Sequence, residues 1–186
     1  MVKRFRLVKL CLVAVFAVTA IGVLAGPAMA FSDFEGDGTE ITSSGGQQVF
    51  VVTGGEVRCK KVTGTAAGFT GTKTELTTKT IKYEECEAVG IGSATVTCSG
   101  YTFHIAGTTD VIGSGCVVKA LTCEIKVGAQ TGLKTVTYAD LTGFEMETKA
   151  SVGGITYTLA GFCPGITAGS GGKYTGSFIS KHVKAI

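Results

Sequence analysis

The segment YEECEAVGIGSATVTCSGYTF, starting at Tyr83, holds the first residues with chemical options, Cys86 and Cys98. With Cys59, Cys116, Cys123 and Cys163 they make six cysteines after residue 30, and Cys11 lies before it. Three chemistries suit cysteine: metal ligation, redox exchange and structural bridging. Zinc needs CxxC-like pairs or nearby His partners. The closest pair, Cys116 and Cys123, has six residues between. A thioredoxin-type CxxC is absent as well. An even cysteine count in an exported chain reads as disulfides.

Candidate pairs follow from strand geometry. Folding the segment at Ile91-Gly92-Ser93 sets Ala88 opposite Val96 and Cys86 opposite Cys98. Folding instead at Ala106-Gly107-Thr108 sets Cys98 opposite Cys116. Six cysteines allow 15 connectivities. The favoured set is Cys86 with Cys98, Cys116 with Cys123, and Cys59 with Cys163, the last tying the two ends of the domain.

Other reactive groups are sparse. There are two histidines, His104 and His182. His104 has the opposite strand parity to Phe103 and Ile105, which points it away from the core. No GxSxG elbow accompanies either histidine. Glu84, Glu85 and Glu87 crowd around Cys86, with Glu84 on the face of Cys86 and the other two on the reverse. A glycosidase needs carboxylates opposed across a cleft, which neighbours on one strand do not supply. They read instead as a charged strand edge. Asp33, Glu35 and Asp37 alternate as in a calcium loop, but Ser44 stands where the twelfth-position Glu belongs. Gly90-Ile91-Gly92 precedes no helix, so it is no phosphate loop. No catalytic, cofactor or metal residues are assigned.

The elements that position these groups read as strands. QQVFVVT, EVRCKKVT, TKTIKYEECEAV, ATVTC, YTFHIAG, CVVKALTCEIKV, LKTVTYADL, FEMETKASV, GITYTLAG and KYTGSFISKHV are short runs rich in Val, Ile, Thr, Tyr and Phe. In the clearest, Ile155, Tyr157 and Leu159 share one face and Thr156 and Thr158 the other. Twenty-eight Gly with two Pro suit turns and bulges. About nine or ten short strands predict an all-β fold, an antiparallel β-sandwich with disulfides, or alternatively a β-barrel. Residues 31–46, polar and Gly-rich, read as a flexible tail before one domain over 47–186.

The N-terminus has the three parts of a secretory signal peptide: Lys3, Arg4, Arg6 and Lys9, then CLVAVFAVTAIGVLAG, then Ala28-Met29-Ala30. Cleavage there removes four of seventeen basic residues and none of the fourteen acids, leaving a net charge of −1. A basic face for nucleic acid is therefore not expected, nor membrane association after cleavage. Without Asn there is no N-glycosylation sequon, and without Trp the strongest sugar-stacking residue is missing. Tyr83, Tyr101, Tyr138, Tyr157 and Tyr174 remain as possible stacking platforms.

The order of several pieces resembles a loosely defined set of secreted, cysteine-containing β-rich proteins of actinobacteria. The matching stretches are TELTTKTIKYEECEAVG, then ATVTC with an aromatic strand behind it. Cys116 and Cys123 follow before EIKVGAQTGLKTVTY, and GGITYTLAGFCPG and GKYTGSF complete the order. The resemblance spans Cys59 to Phe178. It implies secretion and an all-β fold, and carries over no activity or functional residue.

The expected function is that of an exported, disulfide-stapled, non-enzymatic structural or binding domain of the extracellular space or cell envelope. An envelope glycan or protein would be its partner. A glycan-binding or adhesive module is one alternative; a small secreted hydrolase built on His104 or the Glu84–Glu87 cluster is another.

Overall fold

The computed structural model describes residues 31–186, and the signal-peptide reading lies outside the described residues. The described chain is all-β and antiparallel, with fourteen strands in one continuous sheet. The principal elements are β2 (Gln48–Val52), β3 (Gly55–Ala66), β5 (Glu75–Ala88), β6 (Gly92–Cys98), β9 (Cys116–Ala120), β10 (Cys123–Val127), β13 (Glu145–Gly161) and β14 (Gly169–Ala185). Each pairs with the next in the order β3, β5, β6, β9, β10, β13, β14, β2. The β2–β3 hairpin then returns to the start. The sheet therefore curls around one core, and its inward residues are packed from both sides.

A three-stranded extension joins this curl at β5. The hairpin of β7 (Tyr101–His104) and β8 (Thr108–Val111) pairs with the first residues of β5, and β11 (Gln130–Lys134) adds to β8. At the start of β11, the Gln130 side chain donates to the Thr156 carbonyl and accepts from the Thr156 N–H, both at 2.8 Å. A side-chain amide thus replaces one rung of a backbone ladder.

The core takes alternate residues, as the pleat requires. Tyr157 is buried while Thr156 and Thr158 are exposed, which matches the face assignment made from the sequence. Val62, Leu76, Met146 and Phe178 are buried with it. At about 25 cal/mol per Å², each such side chain stabilises the fold by roughly 1.5–3 kcal/mol relative to exposure.

Residues 31–46 form no tail. β1 (Phe34–Ser43) pairs with β14, β3 and β4 (Thr72–Lys73). Phe34 and Ile41 are buried anchors in an otherwise polar segment. Gly36, at φ +134°, lets β1 pass against the His182 carbonyl, where any Cβ would collide. Two apolar residues and one permissive glycine outweigh the loop-like composition. Among the acids at 33, 35 and 37, Glu35 pairs with Lys184 at 3.0 Å.

The disulfides join Cys59 to Cys86, Cys98 to Cys116, and Cys123 to Cys163. None of the three favoured pairings forms, whereas the alternative Cys98–Cys116 pair does. Two features displaced Cys86 from Cys98. The β5–β6 turn falls at Val89-Gly90-Ile91, closed by the Ile91 N–H on the Ala88 carbonyl at 3.0 Å. That is two residues earlier than expected, and it sets Cys86 opposite Ala94. The β5–β6 register then slips again between Lys82 and Cys86, beside Glu85 at φ 53°. On its other flank β5 meets β3, where Cys59 and Cys86 are direct partners with Cα atoms 3.9 Å apart. Cys98 and Cys116 are opposed across β6 and β9, at 4.0 Å. The chain between them leaves this sheet edge as the β7–β8 hairpin.

The irregularity at Glu85 also reverses parity. Tyr83 and Cys86 both point inward, while Glu84 and Glu85 are both exposed, so Glu84 does not share the face of Cys86. On β3 the same reversal occurs at Lys60 and Lys61, between buried Cys59 and Val62. The two exposed pairs face each other. Glu85 holds Lys61 at 2.7 Å and Lys60 at 3.3 Å. Hydrogen bonds from Lys61 and Lys60, with their charges, keep the Glu85 carboxyl below its ordinary range.

Candidate functional site at the uncharged apolar end

The groups picked out as possible chemistry are placed as follows. His104 is held between two carboxylates: Nε2 lies 2.9 Å from Asp110 Oδ2, and Nδ1 lies 3.2 Å from Glu75 Oε1. The side chain is 24% exposed, more covered than its strand parity suggests. Burial pushes the Asp110 carboxyl up. The hydrogen bond from His104, another from the Gly132 N–H at 2.7 Å, and the His104 charge together carry it below its ordinary value. With both ring nitrogens facing carboxylates, neither is left to activate a hydroxyl nucleophile. The arrangement is a clasp joining β5, β7, β8 and β11.

Glu84 and Glu85 border a shallow groove over β5 and β6, whose far wall is Ala94, Thr95, Val96 and Thr97. That wall carries no opposing carboxylate, so the geometry of a glycosidase is not assembled. Among the described residues, no group of three or more His, Cys, Asp or Glu could hold a metal ion.

The tyrosines turn inward. Tyr83 and Tyr101 are buried and their hydroxyls lie 3.0 Å apart. The Tyr101 hydroxyl also lies 3.0 Å from Cys98 Sγ and 3.2 Å from Cys116 Sγ. The Tyr174 hydroxyl donates to Gln48 Oε1 at 2.5 Å, and the Tyr157 hydroxyl accepts the Thr53 N–H at 3.0 Å. Burial raises the Tyr83, Tyr101 and Tyr138 phenols far above their ordinary range and brings Tyr174 to about 12. These rings fill the core and its rim, so they offer no open stacking platform.

The feature that remains is one end of the curled sheet. Four connections meet there: Thr53-Gly54 between β2 and β3, Val89-Gly90-Ile91 between β5 and β6, Leu121-Thr122 between β9 and β10, and residues 162–168 between β13 and β14. Register brings them together. Val57 pairs with Ala88, Thr95 with Lys119, and Cys123 with Gly161. Hydrogen bonds tie these connections to their neighbours: the Val89 N–H to the carbonyl of Glu56 on β3 at 2.9 Å, and the Thr122 hydroxyl to the Phe162 carbonyl at 3.2 Å. None of the four connections contains a charged residue. Yet Leu121 is 84% exposed, Phe162 72%, Val89 52% and Ile91 47%.

Behind this rim lies a largely apolar cavity of about 90 Å³, walled by Val57, Ala88, Val118, Ile125, Ile155 and Tyr157, with Glu56 and Lys173 also in its lining. Val89 and Ile91 belong to the same lining, so exposed rim and interior are continuous. The loop over 162–168 covers part of the opening with Ile166. Gly54, at φ +86°, leaves space for the Gly165 carbonyl, where any Cβ would collide. The Cys123–Cys163 bridge fixes this loop to β10.

Sequence reasoning passed over the rim residues because it treated turns as punctuation. The signal was present in VGIG, ALTC and GFCPGI: large apolar side chains stand where turn chemistry favours polar ones. Comparison with known proteins finds no matching family, no matching curated protein and no matching solved structure.

Proposed function

We propose that this chain is an exported, non-enzymatic binding domain of the extracellular space or cell envelope, and that it binds through the uncharged apolar end. The observation that carries the reading is the concentration of four exposed large apolar residues on three of the four adjoining turns of a bridged sheet. Scattered surface apolar residues are ordinary, but a contiguous apolar patch opening onto a cavity marks a binding surface. The three disulfides suit an oxidising compartment. The signal-like N-terminus and the resemblance to secreted actinobacterial proteins point the same way. An envelope glycan or protein as partner would have to accept this apolar surface.

Two measurements test the reading. The full chain, expressed in a secreting host, is expected outside the cytosol with Phe31 as its first residue and no free thiol. Retention in the cytosol with free thiols would defeat the export half. The released protein should bind an octyl-substituted matrix, and the L121S/F162S double variant should elute markedly earlier while melting at the parental temperature. Equal retention of the two would defeat the binding half.

A further inference from the structure

We infer that the Cys123–Cys163 bridge is a thiol–disulfide exchange site, reduced by a dithiol ahead of the other two bridges, and that its reduction releases the loop over 162–168. The consequence for binding rests on the reading of the apolar end as a binding surface.

Access sets this bridge apart. Cys59, Cys86, Cys98, Cys116 and Cys123 are buried, whereas Cys163 is half-buried. Its neighbours leave the approach open. Phe162, Pro164 and Gly165 are exposed, as are Leu121 and Thr122 beside Cys123. Exposed bridges are the labile ones, and buried structural bridges resist thiols.

Placement sets it apart as well. Cys59 and Cys86 are direct partners across β3 and β5, and Cys98 and Cys116 across β6 and β9. The ladders keep those sulfurs opposed after reduction, so they reclose. The Tyr101 hydroxyl also stands against both Cys98 and Cys116 sulfurs, at 3.0 and 3.2 Å. Cys123 is held in the same way on β10, opposite Ala120 and Gly161. Cys163, however, lies beyond the end of β13. Once reduced, it is free to leave, and reclosure waits on the return of a loop.

Little else fastens that loop. Phe162, Pro164, Gly165, Thr167 and Ala168 are all exposed. The Phe162 carbonyl accepts from the Thr122 hydroxyl at 3.2 Å, and the Thr167 N–H donates to the Thr53 carbonyl at 3.4 Å. Ile166 is its half-buried apolar anchor, sharing the cavity lining with Val52 and Val57. Few buried contacts and exposed backbone bonds place a segment at the low end of local stability. Lifting Ile166 away uncovers the lining it shares.

The exchange balances with a dithiol as the two-electron donor. One thiol loses its proton, and its sulfur attacks Cys163 Sγ. The bond to Cys123 Sγ breaks, and Cys123 leaves as a thiolate that takes up a proton. The second thiol of the donor then attacks its own partner sulfur in the mixed disulfide. Cys163 leaves and is protonated in turn. The donor ends as a disulfide and the protein as two thiols.

The experiment exposes the released, oxidised full chain to graded dithiothreitol, blocks free thiols with iodoacetamide and maps the labelled peptides. Cys123 and Cys163 are expected to be labelled at roughly tenfold lower dithiothreitol than the other four cysteines, with the near-ultraviolet circular dichroism retained. At that point chymotrypsin should cut after Phe162 faster than in the oxidised protein, and retention on the octyl-substituted matrix should lengthen. The C123A/C163A variant is expected to be cut after Phe162 as fast as the reduced parent. Should that variant not fold, the selectively reduced and alkylated parent carries the same comparison with the oxidised protein. Earlier labelling at either other bridge, labelling of all six with loss of the dichroism, or unchanged cleavage or retention after selective reduction overturns the inference. Equal retention of the parent and L121S/F162S removes the binding surface but leaves the order of labelling to stand; the wrong order removes the exchange site and leaves the surface.

Discussion

Removing the bridge between Cys98 and Cys116 tests how far the sheet depends on its disulfides. The perturbation is the double variant C98A/C116A, which leaves no lone thiol. The two residues are 18 apart in sequence. Loop-closure entropy for that length gives a loss of about 3 kcal/mol at 25 °C. Little else is lost locally. The Tyr101 hydroxyl, which touches both sulfurs, keeps Tyr83 as partner at 3.0 Å, and the β6–β9 ladder keeps its backbone pairing. For a domain of this size, about 3 kcal/mol lowers the melting temperature by about 6–12 °C. Thermal melting by near-ultraviolet circular dichroism measures it, alongside peptide mapping of the unreduced parent. Maps should show Cys59–Cys86, Cys98–Cys116 and Cys123–Cys163. A double variant that melts within about 2 °C of the parent, or a map with any other pairing, refutes the reasoning.

Three further outcomes follow from the same geometry. Asp110 has its pKa lowered on folding, so it stabilises the fold above its unfolded pKa near 4, and this contribution fades as pH falls through the lower folded value. Asp110→Asn is therefore expected to cost about 1 kcal/mol at neutral pH and nothing once the parent carboxyl is protonated, as read by denaturant melts across the acid range. The Tyr83, Tyr101, Tyr138 and Tyr174 phenols are raised by burial, so phenolate absorbance is expected to lack their steps near pH 10. Their contribution to stability is complete below pH 10 and is lost as pH climbs beyond it, so ionisation should coincide with unfolding; four tyrosines titrating freely in folded protein would contradict their burial. Gly54→Ala is expected to destabilise by about 1–3 kcal/mol, since a Cβ there meets the Gly165 carbonyl at a strained φ; urea melts at parental slope would show it.

The alternation of Ile155, Tyr157 and Leu159 was readable because β13 keeps its parity through that stretch and buries one face. β5 could not be read the same way. Its parity reverses at Glu84 and Glu85, and no residue type announces that reversal, because the exposed pair is stabilised by Lys60 and Lys61 on another strand. The cysteine pairing failed for that reason and because the turn closed at Val89-Gly90-Ile91. β1 was missed because its identity lies in partners far along the chain, β14 above all, rather than in its own composition. His104 was recognised as outward-facing, but its carboxylate neighbours came from β5 and β8 and no local pattern joined them. The rim at Val89, Ile91, Leu121 and Phe162 was written in the sequence, in turns that looked too apolar, yet only strand register gathers it at one end.

The matched reversals at Lys60-Lys61 and Glu84-Glu85 make these two strands a lock with two tumblers. Excising Glu85 alone would leave Tyr83, Glu84 and Cys86 in plain alternation, with Cys86 still inward but one residue out of step with Cys59 across the two strands, so the sulfurs would no longer be opposed. Excising Lys60 together with Glu85 would restore the match, so shortening of this region has to come in pairs.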